Sequence, residues 1–402
     1  MTVTEEAASR ATDLAELRHA LHREPELGLH LPGTQRRILD ALDGLPLEVS
    51  TGDELTSVTA VLRGGRPGPT VLLRGDMDAL PLVEAVDVPY RSAVDGSMHA
   101  CGHDLHTTML VGAAHLLAGH REELAGSVVF MFQPGEEGFD GAGRMISEGV
   151  LDAAGQRPVA AYAIHVFSSM LPHGAFATRP GPIMAASDLL TIRVIGAGGH
   201  GSAPHRAKDP IPAAAEITLA LQTFLTRSVD PLEPAVITVG SLHGGNRYNI
   251  IPDSAELVAT VRTFDPEARE VIRTGVERVA RGIASAHGLE AEVVFEAQYP
   301  VTVNDAAEAA FVGGAVGDLF GSDRFVDLAR PITGAEDFSR VIDALPGAMV
   351  FLGAMPAGSS GTRPDNHSAS ASFDDRVLPD GAALYAGLAM RRLAAEGTDN
   401  PA

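Results

Sequence analysis

A single cysteine, Cys101, among 402 residues leaves no internal disulfide to form, so any distinction it has must come from packing, reactivity or metal binding. Basic side chains are scarce as well. Thirty Lys and Arg face 52 Asp and Glu for a formal net charge of -22, which repels phosphate backbones and anionic membranes over most of the surface. Nucleic acid and membrane are therefore not expected partners. Long apolar runs are missing too, since none approaches the roughly 20 residues that span a bilayer. The amino end, MTVTEEAASRATDLAELRHALH, is acidic and amphipathic rather than basic and then apolar, so it does not read as a secretion signal. A cytoplasmic location is the resulting expectation.

What is present describes a globular chain. Hydrophobic residues make up 45% and charged residues 20%, and the length favours two domains with separate cores. Apolar runs bounded by Gly or Pro alternate with helical patterns through the first 180 residues, the pattern of an α/β fold with a mainly parallel central sheet. Four runs stand out: Thr70 to Arg74, Val128 to Gln133, Val159 to Ile164 and Ala348 to Gly353. Polar residues follow their carboxyl ends: Asp76 and Asp78, Glu136 and Glu137, His165, and the loop holding His367. Ligands of open α/β sheets bind beyond the carboxyl ends of strands, so one sheet edge collects acids and histidines.

Composition changes near Pro180. A strand pattern from Asp188 to Val194, a helix from Pro210 to Arg227, strands at Val236 to Val239 and Ala255 to Val261, and a helix after Pro266 give a split βαβ order. Residues 183–298 are expected to form an inserted α+β domain, with 1–182 and 299–402 forming the main one. Further helices are expected at Asp305 to Leu319 and Arg376 to Ala394, and a loose tail over the last seven residues.

Chemistry concentrates in three places. Cys101 and His103 flank Gly102 before a helical pattern, and a thiolate and an imidazole converging there suit a borderline-soft divalent ion, although C-x-H alone is a short motif. Asp104 is placed to cap that helix. Glu136 and Glu137 lie at the tip of an apolar strand after Pro134 and Gly135. Like charges in a crevice need a cation or a shared proton, so one carboxylate could bind metal and the other hold water. His165 and His367, each of which alone reads as an ordinary core or surface histidine, gain weight from that company. The glycine-rich GAGGHG (196–201) lacks the GK[ST] ending of a phosphate loop and carries His200 within it, which argues against nucleotide binding.

The stretches GDMDALP (75–81), MHACGHD (98–104), FQPGEEG (132–138), IHVF (164–167), GAGGHGSAPH (196–205), NIIPD (249–253), GAEDFS (334–339) and NHS (366–368) resemble those of the M20 metallopeptidases. More narrowly they resemble the branch with hippurate hydrolases, aminoacylases, carboxypeptidases and indole-acetyl-amino acid hydrolases. The resemblance implies a zinc-exopeptidase-like catalytic domain with an inserted lid and dimerisation domain. It also implies two divalent ions per subunit, zinc or manganese with cobalt or nickel as alternatives, held by Cys101, His103, Glu137, His165 and His367. Glu136 would be the general base of amide hydrolysis on an N-acyl amino acid or short peptide. Asp76 and Asp78 would orient the ligands, His200 would assist catalysis, and Asn249 and Arg262 would reach substrate. A homodimer through the inserted domain is implied as well. Gly135 stands where alanine is common and Leu105 where glycine is common. Two other readings stay open: a cysteine hydrolase using Cys101, and a non-catalytic binding protein on the same scaffold. Leu105, Phe139 and Met184 are candidates for the pocket wall and equally for ordinary core.

Overall fold

A computed structural model describes residues 1–356 and 363–397. Residues 398–402 of the expected tail lie outside that range. The chain divides into two compact units: 1–183 with 303–330 and 337–402, and 184–302 with 331–336. The return of 331–336 to the second unit is not signalled by the sequence pattern. It rests on long-range pairing, a parallel bridge between Met184 and Ile332 and a hydrogen bond from Ala185 N to Gly334 O.

Six strands come from the first 183 residues: β1 (Leu47–Thr51), β2 (Val58–Arg63), β3 (Arg66–Asp76), β4 (Ala125–Gln133), β5 (Ala160–Phe167) and β6 (Phe176–Thr178). Helices α1 (Ala11–Arg23) and α2 (His103–Gly119) belong to the same stretch. The second unit supplies β7 (Ala186–Ile195), α3 (Pro210–Ser228), β8 (Ala235–Gly244), β9 (Ser254–Thr263), α4 (Pro266–Ala286) and β10 (Glu290–Tyr299). The chain then returns with α5 (Ala306–Phe320), β11 (Phe325–Asp327), β12 (Gly347–Gly353) and α6 (Leu378–Gly397).

The first unit's sheet has eight strands in the order β1-β2-β4-β3-β5-β12-β6-β11. Its centre, β4-β3-β5-β12, is parallel throughout, while β1-β2, β2-β4 and β12-β6 are antiparallel. The four central strands are those expected from sequence. They are buried on both faces, as a parallel sheet covered by helices requires. Helix α2 is buried almost all round, and its Leu105, Met109, Leu110 and Leu117 join the sheet's apolar core.

In the second unit the strands run β8-β9-β7-β10, all antiparallel. Burial alternates along β9, with Ala255, Leu257, Ala259 and Val261 turned to a core shared with Ile217, Leu221, Ile272 and Val276 of the two helices. Both helices begin alike. Asp209 and Asp265 cap the N-terminus by accepting from Ile211 N and Ala268 N, and a proline at the first helical position adds the preset φ. No described helix is long and apolar enough to cross a membrane.

Candidate metal centre

The centre is built on the first unit at the carboxyl ends of its parallel strands. Strand β3 ends in Asp76 and leads to Asp78, β4 leads through Pro134 and Gly135 to Glu136 and Glu137, and His165 lies near the end of β5. Cys101 precedes α2 and His103 opens it. Gly102 between them adopts φ +88, and a Cβ there would run into Val166 Cγ2, so only glycine allows this approach. Gly135 has φ +72, and a Cβ would stand 2.5 Å from Leu29 Cδ2. The turn it permits presents the backbone N–H groups of Glu136 and Glu137 to the two carboxylate oxygens of Asp78, at 3.0 and 3.1 Å. Asp78 therefore clamps the tip that carries both glutamates.

The expected ligands converge. Cys101 Sγ lies 3.4 Å from His165 Nε2 and 3.2 Å from His367 Nε2, and His367 Nε2 lies 3.3 Å from Glu137 Oε1. His103 Nε2 is 4.0 Å from both Glu136 Oε2 and Glu137 Oε1. Among the five triads of described residues whose ligand atoms lie within 4.8 Å of one another, three are built from the expected ligands and Glu136: Cys101, His103 and His165; Cys101, Glu137 and His367; His103, Glu136 and Glu137. The imidazoles are aimed by their other nitrogens. His103 Nδ1 bonds the Asp78 carbonyl at 2.9 Å and His165 Nδ1 the Val166 carbonyl at 2.9 Å, so each Nδ1 carries the proton and each Nε2 turns a lone pair inward. His367 holds φ +65, uncommon outside glycine, with its backbone N bonded to Ala100 O.

His103 Nε2 at the middle is buried without a hydrogen bond among the described residues, and Glu137 Oε1, buried beside it, has the ion pair with His367 in place of a well-directed hydrogen bond. Orphaned buried polar atoms are costly, and an imidazole lone pair facing a carboxylate and a thiol is a donor set for a cation. The protonation preferences agree. Burial opposes charge on His103, but Asp76 and then Cys101 beside it raise its pKa well above the usual histidine range. Cys101 and Glu137 push His367 up to about 10. Burial would raise the Glu137 carboxyl, yet its histidine neighbours leave it below the usual range. His103, His367 and Glu137 thus favour positive charge between them, whereas burial and then His106 hold His165 well below the usual histidine range, neutral as a ligand must be.

Other expectations resolve differently. Asp104 does not cap α2: Gly102 occupies the N-cap without a side-chain bond, and the Asp104 carboxylate, fully buried, takes Arg18 Nε at 2.7 Å and His22 Nδ1 at 2.8 Å. Ion pairing with a buried guanidinium outweighs a cap here. Asp76 is buried between Arg74 at 2.5 Å and His106 at 2.6 Å. Burial would raise its pKa, but Arg74 brings it well below the usual carboxylate range. Leu105 is core at 0% exposure, Met184 is buried in the second unit, and Phe139 is 48% exposed with its ring against Gly28.

Four residues escape a reading by motif. His106 bonds Asp76 and Val166 N, Asn366 ties the Cys101 and Val166 carbonyls together at 3.1 and 2.9 Å, and Arg74 with Asp337 closes a buried network through Gln133. Asn366 and Asp337 lie inside the quoted stretches, whereas Arg74 and His106 lie just outside GDMDALP and MHACGHD, and that proximity is their one signal. In the second unit, His200 lies on Gly199–His200, paired with Ile250–Ile251, and its Nδ1 accepts from Ser202 N. Asn249 is beside it, its carbonyl accepting from Gly201 N, and both side chains are exposed. Arg262 is on β9, half-buried, with Nη1 unpartnered among the described residues.

Residues 72–391 match Peptidase family M20/M25/M40. Thermostable carboxypeptidase 2 of Saccharolobus solfataricus is 40% identical over 94% of this chain and 95% of its own length. Hippurate hydrolase of Campylobacter jejuni is 36% identical over 95% and 97%. A dinuclear metal binding peptidase of the M20 family from Bacillus subtilis superposes with a TM-score of 0.81 at 33% identity, covering 96% of this chain and 99% of that one. With the fold, the clustered donors and these relatives together, the chain belongs to peptidase family M20/M25/M40 and is a metal-dependent hydrolase of amide bonds.

Proposed function

We propose that the chain releases a free amino acid and a carboxylic acid from N-acyl amino acids, or cleaves short peptides, with Cys101, His103, Glu137, His165 and His367 holding two divalent ions and Glu136 as general base. The observation that carries this reading is the inward Nε2 of His103, buried without a hydrogen bond and 4.0 Å from the Glu137 Oε1 that pairs with His367, at the junction of triads that share Cys101. Thiolate and imidazole donors suit zinc, the carboxylate admits manganese, and cobalt or nickel fit the same nitrogen-rich set. Bound there, the ions supply Lewis acidity that lowers the pKa of a water and polarises the scissile carbonyl.

The protein's own part is positioning and proton transfer. Asp78 fixes the backbone of Glu136, so its carboxylate is held at the edge of the donor cluster, where it takes the water's proton and passes it to the leaving nitrogen. Asp76 stays ionised 3.7 Å from His103 Nε2 and adds negative charge beside the cation site, while the Asp78 carbonyl holds the His103 proton on Nδ1. For the second unit we propose substrate roles. The Arg262 guanidinium grips an α-carboxylate bidentately, His200 donates to the developing oxyanion, and Asn249 adds a polar contact. We also assign this unit, 183–298 by sequence, the part of lid and dimerisation domain in a cytoplasmic homodimer.

One competing reading has an observation in its favour. Cys101 lies within 3.4 Å of two imidazoles, which is also how a cysteine nucleophile meets its base. It leaves the two glutamates without work. Glu136→Ala separates the readings: it is expected to keep wild-type metal content while hydrolysis of N-acetyl, N-benzoyl and dipeptide substrates falls by about 10²- to 10⁴-fold. Full turnover by that variant would remove Glu136 from the reaction.

A further inference from the structure

Strands β3 and β5 are hydrogen-bonded only as far as the rung pairing Arg74 with Ala163. Beyond it both strands continue toward the metal centre, β3 to Asp76 and β5 to Phe167, but the ladder between them stops. The N–H groups of Ile164 and Val166 are two residues apart on one strand and so face the same side. Each finds a side chain where a backbone carbonyl of β3 would have been. Ile164 N donates to the Tyr385 hydroxyl at 2.7 Å, and that hydroxyl donates to the Arg74 carbonyl at 2.6 Å. Val166 N donates to His106 Nε2 at 2.8 Å, and His106 Nδ1 donates to Asp76 Oδ1 at 2.6 Å. A phenol from α6 and an imidazole from α2 thus continue the ladder and hold the two strands apart at the end where the ligands gather.

Val166 is the pivot of this arrangement. Its carbonyl accepts from His165 Nδ1, which fixes the tautomer that turns His165 Nε2 toward Cys101, and it also accepts from Asn366. His106 itself looks like a ligand by proximity, since it forms another of those triads with Asp76 and His103 within 4.8 Å. Its hydrogen bonds say otherwise. Accepting at Nε2 and donating at Nδ1 consumes both nitrogens of a neutral imidazole and leaves no lone pair for an ion.

We propose that His106 and Tyr385 are positioning residues that wedge β3 from β5, and that His106, through its bond to the Val166 peptide, sets the direction and tautomer of His165. The inference rests on reading His165 as a metal ligand. It separates two nearby histidines by role: His165 binds the ion, and His106 binds the backbone that aims His165.

The two bonds of His106 can be tested apart. His106→Gln places a carbonyl oxygen where Nε2 accepts from Val166, while His106→Asn places an amide donor where Nδ1 meets Asp76. Metal-stripped wild type, both variants, Tyr385→Phe and His165→Ala would be titrated with Co²⁺ and followed by visible absorption, with melting of the metal-free proteins as the folding control. Wild type is expected to take two equivalents and His165→Ala one. His106→Gln should retain both near wild-type affinity. His106→Asn should retain the stoichiometry of two but bind one ion weaker by about 10- to 100-fold, with a shifted absorption band. Tyr385→Phe, which keeps the ring and loses the bridge, should weaken the same ion to a lesser degree.

Loss of a whole equivalent in His106→Gln would make His106 a ligand and overturn the proposal. Wild-type titrations of both His106→Asn and Tyr385→Phe, or equal weakening by Gln and Asn, would overturn it as well. Retention of two equivalents by His165→Ala would instead strike the ligand set itself, which distinguishes failure of that reading from failure of this one.

Discussion

Glu136 and Glu137 are neighbours in sequence for which separate roles are proposed, and Asp78 anchors the backbone of both. Both of its carboxylate oxygens are engaged by the backbone of the glutamate turn, and Asp78 is itself 1% exposed. Asp78→Ala would leave the buried N–H of Glu136, at a cost of about 1–3 kcal/mol, and the half-buried N–H of Glu137 without acceptors. The expected outcome is a loss of kcat of at least about tenfold together with a lower melting temperature, measured on the same preparation. Cys101→Ala should lower metal occupancy, because its sulfur is common to two triads; unchanged metal content in that variant would return Cys101 to a packing role. At this scale the sequence was legible where motifs carry donors. His106 was not, because a histidine three residues into a buried helix looks like core, and its meaning lies in a bond to Val166, sixty positions away. Asp104 misled for the same reason, its partners Arg18 and His22 being on another helix.

Helix α2 shows how an element is tied into the site. Its first turn carries His103 and Asp104 on one short segment, the first facing the metal centre and the second a buried ion cluster with α1. Arg18 is 1% exposed, and its guanidinium is raised in pKa despite burial by Asp104. Removing one member of a buried pair strands the other charge, so Asp104→Ala is expected to destabilise by about 3–5 kcal/mol, read by denaturant unfolding. A change under about 1 kcal/mol would mean that the pair is dispensable. Strands and helices were legible from apolar runs and from the Asp-Pro starts of α3 and α4. The hairpin of β1 and β2 was not, since β1 is short and mostly exposed and has no apolar pattern to announce it.

On the scale of the molecule, the second unit's sheet has two unlike edges. Strand β10 carries Glu290, Glu292 and Glu296 and so discourages pairing, whereas β8 has no acid or Lys/Arg side chain and exposes Val236 and Leu242 by 40% and 46%. The proposed homodimer is expected to use the β8 edge. Leu242→Lys should shift the protein from dimer to monomer in sedimentation velocity at micromolar concentration, and an unchanged dimer would place the interface elsewhere. The division into two units was partly legible from the composition change near Pro180. The six residues 331–336 were not, because they join the second unit through pairing with a segment some 150 positions earlier.

Hydrolysis is proposed to depend on two ions held by a thiol, a carboxylate and three imidazoles. Metal content per subunit and N-acyl amino acid hydrolysis measured on one sample, before chelator dialysis, after it, and after restoring zinc or manganese, probe that dependence. Two ions and activity are expected at first, neither after dialysis, and recovery of both together. Undiminished turnover by the fully stripped protein would contradict that dependence.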